Sequence, residues 1–162
     1  MKKSILAGLT AIMVCMAGSA AMAADQTVAL QGHNDQDLGT VEIHFTTDGA
    51  ALKVDAKALS QGWHRVYVHD VGDCSDLVTV VEPMKLQVER VDNDLARAER
   101  DAGGQAGVYA VENGSADGQF LVRGLQESAL MDKDGSAVML YNVGDQNVET
   151  AVACGVIYPP KP

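Results

Sequence analysis

The stretch Gly62-Trp63-His64-Arg65-Val66-Tyr67-Val68-His69-Asp70-Val71-Gly72-Asp73-Cys74 decides how this chain is read. It alternates as a β-strand does: Val66 and Val68 share one face, Arg65, Tyr67 and His69 the other, because successive side chains of an extended chain point to opposite faces. A His-x-His pair on the second face would aim two imidazoles at one copper or zinc ion. Here the pair is Tyr67 and His69. A phenol with a pKa of about 10 is a poor ligand at neutral pH, so this strand alone builds no two-histidine platform.

The pattern on both sides is mostly β. Val41, Ile43 and Phe45 alternate with Glu42 and His44, and Asp48-Gly49 signals a hairpin whose second strand runs over 51–56. Thr27–Gln31 is a further short strand, and Val78–Val81 and Lys85–Val91 are weaker ones. Val108–Glu112 leads into Asn113-Gly114 and Asp117-Gly118, read as two turns, then Gln119–Arg123. Asp134-Gly135 precedes Ala137–Tyr141, and Thr150–Tyr158 closes the sheet. Many short strands between glycine-rich turns indicate an antiparallel sandwich or barrel. Asp94–Gly104 departs from this, with a capping Asp, helix formers and terminal glycines, and reads as one short helix in a long connection. The Pro159–Pro162 tail reads as frayed.

Residues 1–23 read as a signal peptide: Lys2 and Lys3, an apolar run over Ile5–Met16, then Ala21-Met22-Ala23 as a small-x-small cleavage site. That run is shorter than the roughly 20 residues a membrane span needs. Export leaves one domain, 24–162, and two cysteines, Cys74 and Cys154. An even count in an oxidising compartment argues for a disulfide, two buried thiols being the alternative. Such a bridge stabilises by roughly 4 kcal/mol in the chain-entropy model.

The full chain has 22 acidic and 12 basic residues, and loss of Lys2 and Lys3 takes the formal charge from −10 to −12. That excludes nucleic acid and anionic membrane surfaces as partners. A basic protein partner or a metal cation is compatible. No Ser/His/Asp order, metal-hydrolase spacing or phosphate loop is present.

At three anchors the chain resembles the copper/zinc superoxide dismutase family, especially its bacterial periplasmic branch. Gly62–Cys74 resembles the family strand G-x-H-G-F-H-x-H-E-x-G-x-C. Gly135-Ser-Ala-Val-Met-Leu-Tyr-Asn-Val-Gly-Asp145 resembles its G-R-A-L-M-I-H-A-G-G-D segment, and Ala153-Cys154-Gly155-Val156-Ile157 is identical to its A-C-G-V-I ending. The resemblance implies an all-β fold, a flattened eight-stranded Greek-key barrel, with a disulfide between Cys74 and Cys154.

The family's metal chemistry carries over poorly. Tyr67 stands for the first histidine of the copper strand, and only His69 survives of that pair. Tyr141 stands for the late copper histidine, Gln105 for the bridging histidine, Val108 for the zinc aspartate and Ala151 for the anion-drawing arginine. The chain has four histidines, His33, His44, His64 and His69. A family-type dinuclear centre takes six imidazoles and one carboxylate, so the histidine count alone rules it out here. His64 matches a histidine that makes a structural hydrogen bond rather than ligating metal. The resulting expectation is an exported, non-catalytic binding or interaction protein with both metal sites lost. The alternative is a periplasmic copper-handling protein using His69, helped by histidine or by Met84, Met131 or Met139. Residual dismutase activity is a weaker third.

Overall fold

The structure, a computed structural model, describes residues 25–75, 77, 84–90, 106–144 and 148–162. Among them nine antiparallel strands form one sheet: β1 (Gln26–Gln31), β2 (Asp37–Phe45), β3 (Gly49–Ala56), β4 (Gly62–His69), β5 (Gln87–Arg90), β6 (Ala106–Ala110), β7 (Ala116–Arg123), β8 (Ser136–Val143) and β9 (Glu149–Tyr158). Their spatial order is β5-β7-β3-β2-β1-β9-β8-β4-β6. Eight of them make a nearly closed barrel, because β6 and β7 at its two margins are successive in sequence and joined by a tight turn. The four-residue β5 lies outside that set, along β7. β3 and β4 follow one another in the chain but not in the sheet, and that crossing makes the connection a Greek key.

The strands form where apolar residues alternate. On β2, Val41, Ile43 and Phe45 are buried while Glu42 and His44 are exposed; on β4, Val66 and Val68 point into the same core. Phe120, Leu30, Ile43, Leu130 and Leu140 fill the centre. The hairpin at Asp48-Gly49 is as read. Gly49 has φ of +149°, and a Cβ there would stand 2.1 Å from the Val122 carbonyl oxygen. Asn113-Gly114 is also a turn, with Gly114 N–H donating to the Val111 carbonyl at 2.8 Å.

Asp117-Gly118 is not a turn. It lies inside β7, opposite Asp55 and Val54. The glycine is there for packing: a Cβ on Gly118 would come within 2.8 Å of Val108 Cγ1 and 3.0 Å of the Phe120 ring. The C-terminal tail is not loose either, since Lys161 N–H donates to the Lys133 carbonyl at 2.9 Å. The helix read at 94–104, the strand at 78–81 and the leader at 1–23 lie outside the described residues. The one described α-helix, α1 (Glu127–Leu130), sits instead between β7 and β8, where Leu130 anchors it in the core.

Candidate functional site

The site lies on the outer face of β4, β8 and β9. Because Val66 and Val68 take the inner face of β4, Arg65, Tyr67 and His69 point outward. Register sets Tyr141 of β8 opposite Arg65, and Met139 opposite both Tyr67 and Cys154. Ala137, Met139, Tyr141, Ala151 and Cys154 form a second apolar cluster on this face, distinct from the barrel core, with Tyr67, Cys74 and Leu77 packed on it. Cys74 and Cys154 are joined in a disulfide, their Cα atoms 5.6 Å apart. The bond ties the segment after β4 to β9, and His69 at the end of β4 is 1% exposed.

Three rings meet there. Tyr67 stands edge-on to Tyr141 with centroids 5.3 Å apart, and the His69 ring lies 6.3 Å from Tyr67 and 6.0 Å from Tyr141. Edge-to-face packing aligns the positive rim of one ring with the negative face of the next. The Tyr141 hydroxyl is 3.3 Å from His69 Nε2 and 3.6 Å from Met139 Sδ. At the rim, the Tyr67 hydroxyl donates to Glu149 Oε1 at 3.3 Å, and the Arg65 guanidinium donates to the same oxygen. The Arg65–Glu149 pair is about three-quarters buried, at 21% and 24% exposed.

Burial pushes the Tyr67 phenol above its usual pKa, offset in part by the Arg65 charge. Burial, then the neighbouring Tyr67, pushes Tyr141 up as well. Both rings are therefore neutral phenols at neutral pH, where ionising either would put charge into a site that disfavours it.

The other histidines are elsewhere. His44 is exposed on β2, four strands from β4 across the sheet, and pairs with Asp25. His33 is exposed in a short 3-10 turn. His64 faces the barrel interior at 0% exposure, with Nε2 2.9 Å from the Ser60 carbonyl oxygen. Met84 packs on the main core and Met131 is exposed, so of the three methionines only Met139 reaches His69's surroundings. Val108 is fully buried in the core on β6, and Gln105 lies outside the described residues. Among the described residues no three His, Cys, Asp or Glu side chains converge as a ligand set. One imidazole, two neutral phenols, a thioether and a carboxylate held by arginine do not fit a copper/zinc centre. Arg65 and Glu149 escaped the sequence reading. Arg65 shares the period-2 face of Tyr67 and His69, but nothing local marks Glu149, 84 residues on.

Comparison with known proteins agrees with the barrel and its anchors. The copper/zinc superoxide dismutase (SODC) family profile matches residues 38–157. A Caulobacter vibrioides protein named superoxide dismutase [Cu-Zn] is 27% identical over 146 residues, covering 81% of this chain and 84% of that one. Among solved structures, the Cu/Zn superoxide dismutase from Brucella abortus superposes with a TM-score of 0.54 at 18% identity, over 83% of this chain and 99% of the other. A SOD-like protein from Bacillus subtilis, solved as a double mutant with tyrosine and proline each changed to histidine, gives 0.56 at 18% identity, over 81% and 95%. With the profile spanning most of the chain, this protein belongs to the copper/zinc superoxide dismutase family.

Proposed function

We propose that this family member is exported to the periplasm and works there as a non-catalytic binding or interaction protein, its metal pocket converted into packed aromatic structure. The observation that carries this reading is the Tyr67–Tyr141 contact, 5.3 Å between centroids, with the Tyr141 hydroxyl 3.3 Å from His69 Nε2. Copper cycling between oxidation states needs several nitrogen donors held open around the ion. Here the one surviving imidazole is hydrogen-bonded to a phenol and covered. Ala151, opposite Tyr141, offers no charge to draw in an anion, and Arg65 is neutralised by Glu149.

A copper-handling role is the second reading. Its support is that His69 Nε2 and Met139 Sδ approach the same hydroxyl, a nitrogen and a sulfur donor suited to Cu(I) if Tyr141 swings aside. Elemental analysis of protein purified from periplasm, beside a dismutase assay, separates the classes. Neither metal nor turnover is the expected result. Copper without turnover favours metal handling, and stoichiometric copper with turnover overturns the proposal.

A further inference from the structure

Each phenol of the aromatic pocket has a proton acceptor of its own. The Tyr141 hydroxyl is 3.3 Å from His69 Nε2, and the Tyr67 hydroxyl is 3.3 Å from Glu149 Oε1. The two rings also touch, edge to face with centroids 5.3 Å apart, one on β4 and the other on the adjacent β8. The other tyrosines have one of these features and not both. Tyr158 donates to Glu127 Oε1 at 2.5 Å, and Tyr109 stands against Trp63, an aromatic ring but not a phenol. Among the described residues only Tyr67 and Tyr141 join two phenols to two acceptors. Packing alone does not ask for this. Two phenylalanines would fill the same volume without burying the hydroxyl of Tyr141, which is 6% exposed.

A phenol gives up an electron readily only if its proton leaves as well, because the oxidised ring is a strong acid. An acceptor within hydrogen-bond reach receives that proton without water having to enter. We propose that the Tyr67–Tyr141 pair is a redox site that reduces one-electron oxidants and is closed by them into an intra-chain dityrosine, with Glu149 and His69 taking the protons. Tyr67 is the point of entry, half-buried at the rim beside Arg65, with Tyr141 behind it. Each oxidant takes one electron from a phenol and is itself reduced by one. The O–H proton of Tyr67 passes to the Glu149 carboxylate and that of Tyr141 to His69 Nε2, which leaves two neutral tyrosyl radicals. These couple through one ring carbon ortho to each hydroxyl, and the hydrogens on those carbons move to the oxygens as both rings regain aromaticity. The net change is one new carbon–carbon bond, two electrons given to the oxidants, and two protons given to the acceptors and then to water. Such chemistry needs packed phenols rather than a metal centre, and so rests on the reading above, but it needs no binding partner.

The test exposes the full, metal-free protein to a photogenerated ruthenium(III) tris-bipyridyl complex, with persulfate as the terminal electron acceptor. Dityrosine fluorescence and the masses of proteolytic peptides are then read. The expected product is a single chain, not a dimer, in which the peptides carrying Tyr67 and Tyr141 are joined and together lighter by two hydrogens. Tyr67→Phe and Tyr141→Phe should each abolish it, whereas Tyr109→Phe and Tyr158→Phe should leave its yield unchanged. Glu149→Gln keeps the shape but loses the basicity, and should slow the cross-link severalfold. Thermal melts check that the variants fold, and mapping the bond in the unaltered protein holds the test where one does not. No dityrosine, dityrosine only between chains, a bond mapped to Tyr109 or Tyr158, or a rate indifferent to Glu149→Gln would each overturn the proposal. Metal content measured on the same sample keeps the two claims apart: copper with turnover defeats the proposed function, whereas metal-free protein that forms no such bond defeats only the redox site.

Discussion

Tyr141 sits where three demands meet: it fills space beside Tyr67, bonds His69 and touches Met139 sulfur. Tyr141→Phe keeps the packing and loses the hydroxyl, so urea unfolding should show a loss of about 1 kcal/mol, the usual net worth of one hydrogen bond. A larger loss would mean the hydroxyl organises more than His69. Replacing both phenols, Tyr67→His with Tyr141→His, should tighten copper binding by at least about tenfold, measured by competition with a chelator. It should give no dismutase rate unless Ala151→Arg is added. Ionisation of the tyrosines sets a pH limit. Tyr158 is pushed up to about 12 by burial and by its hydrogen bond to Glu127, and Tyr67 and Tyr141 are raised too. Their protons leave the unfolded chain near pH 10 but stay on the folded one longer. The stability they contribute is full below about pH 10 and falls away as pH climbs through the folded values. Melting temperature should therefore drop between about pH 10 and 12, and less steeply in Tyr158→Phe. At this scale the sequence was informative: Tyr67, His69 and Tyr141 were legible from strand alternation and anchor matching. Glu149 was not, since a contact across 84 residues leaves no periodic trace.

Single strands show where pattern reading fails. Asp117-Gly118 has the composition of a turn, yet the glycine is in β7 because Val108 and Phe120 leave no room for a side chain. Gly118→Val should cost about 1–3 kcal/mol by overpacking, read as a shift in denaturation midpoint; a neutral outcome would mean Val108 and Phe120 yield easily. The first half of β2 was missed for a related reason. Asp37-Leu38-Gly39-Thr40 lacks alternation, and Gly39, at φ of +111°, sits where a Cβ would strike Asp55 oxygen at 2.1 Å. Backbone approach set these glycines, and one-dimensional periodicity does not carry it. Strands with clean alternation, the second half of β2 and all of β4, were legible because one face of each meets the core.

Over the whole molecule, three anchors far apart in sequence come together on adjacent strands, which is why the fold was readable from β4, β8 and β9 alone. The disulfide fastens two of them. Cys74→Ala with Cys154→Ala should lower stability by roughly 4 kcal/mol in the chain-entropy model, and so open buried His69 to reagent more often. Faster modification of His69 by diethylpyrocarbonate in that variant, compared with the intact protein, is the expected readout; an unchanged rate would mean His69 is kept buried by β-sheet packing alone.

The most direct single measurement is calorimetric titration of the metal-free, disulfide-intact chain with copper and then zinc, ion content being counted afterwards by mass spectrometry. Two neutral phenols around one covered imidazole should leave no copper site tighter than about 1 µM and no zinc site beside it. One tightly held copper and one zinc per chain would show that the aromatic pocket opens into a full metal centre, and the reading of this protein as a converted barrel would fall.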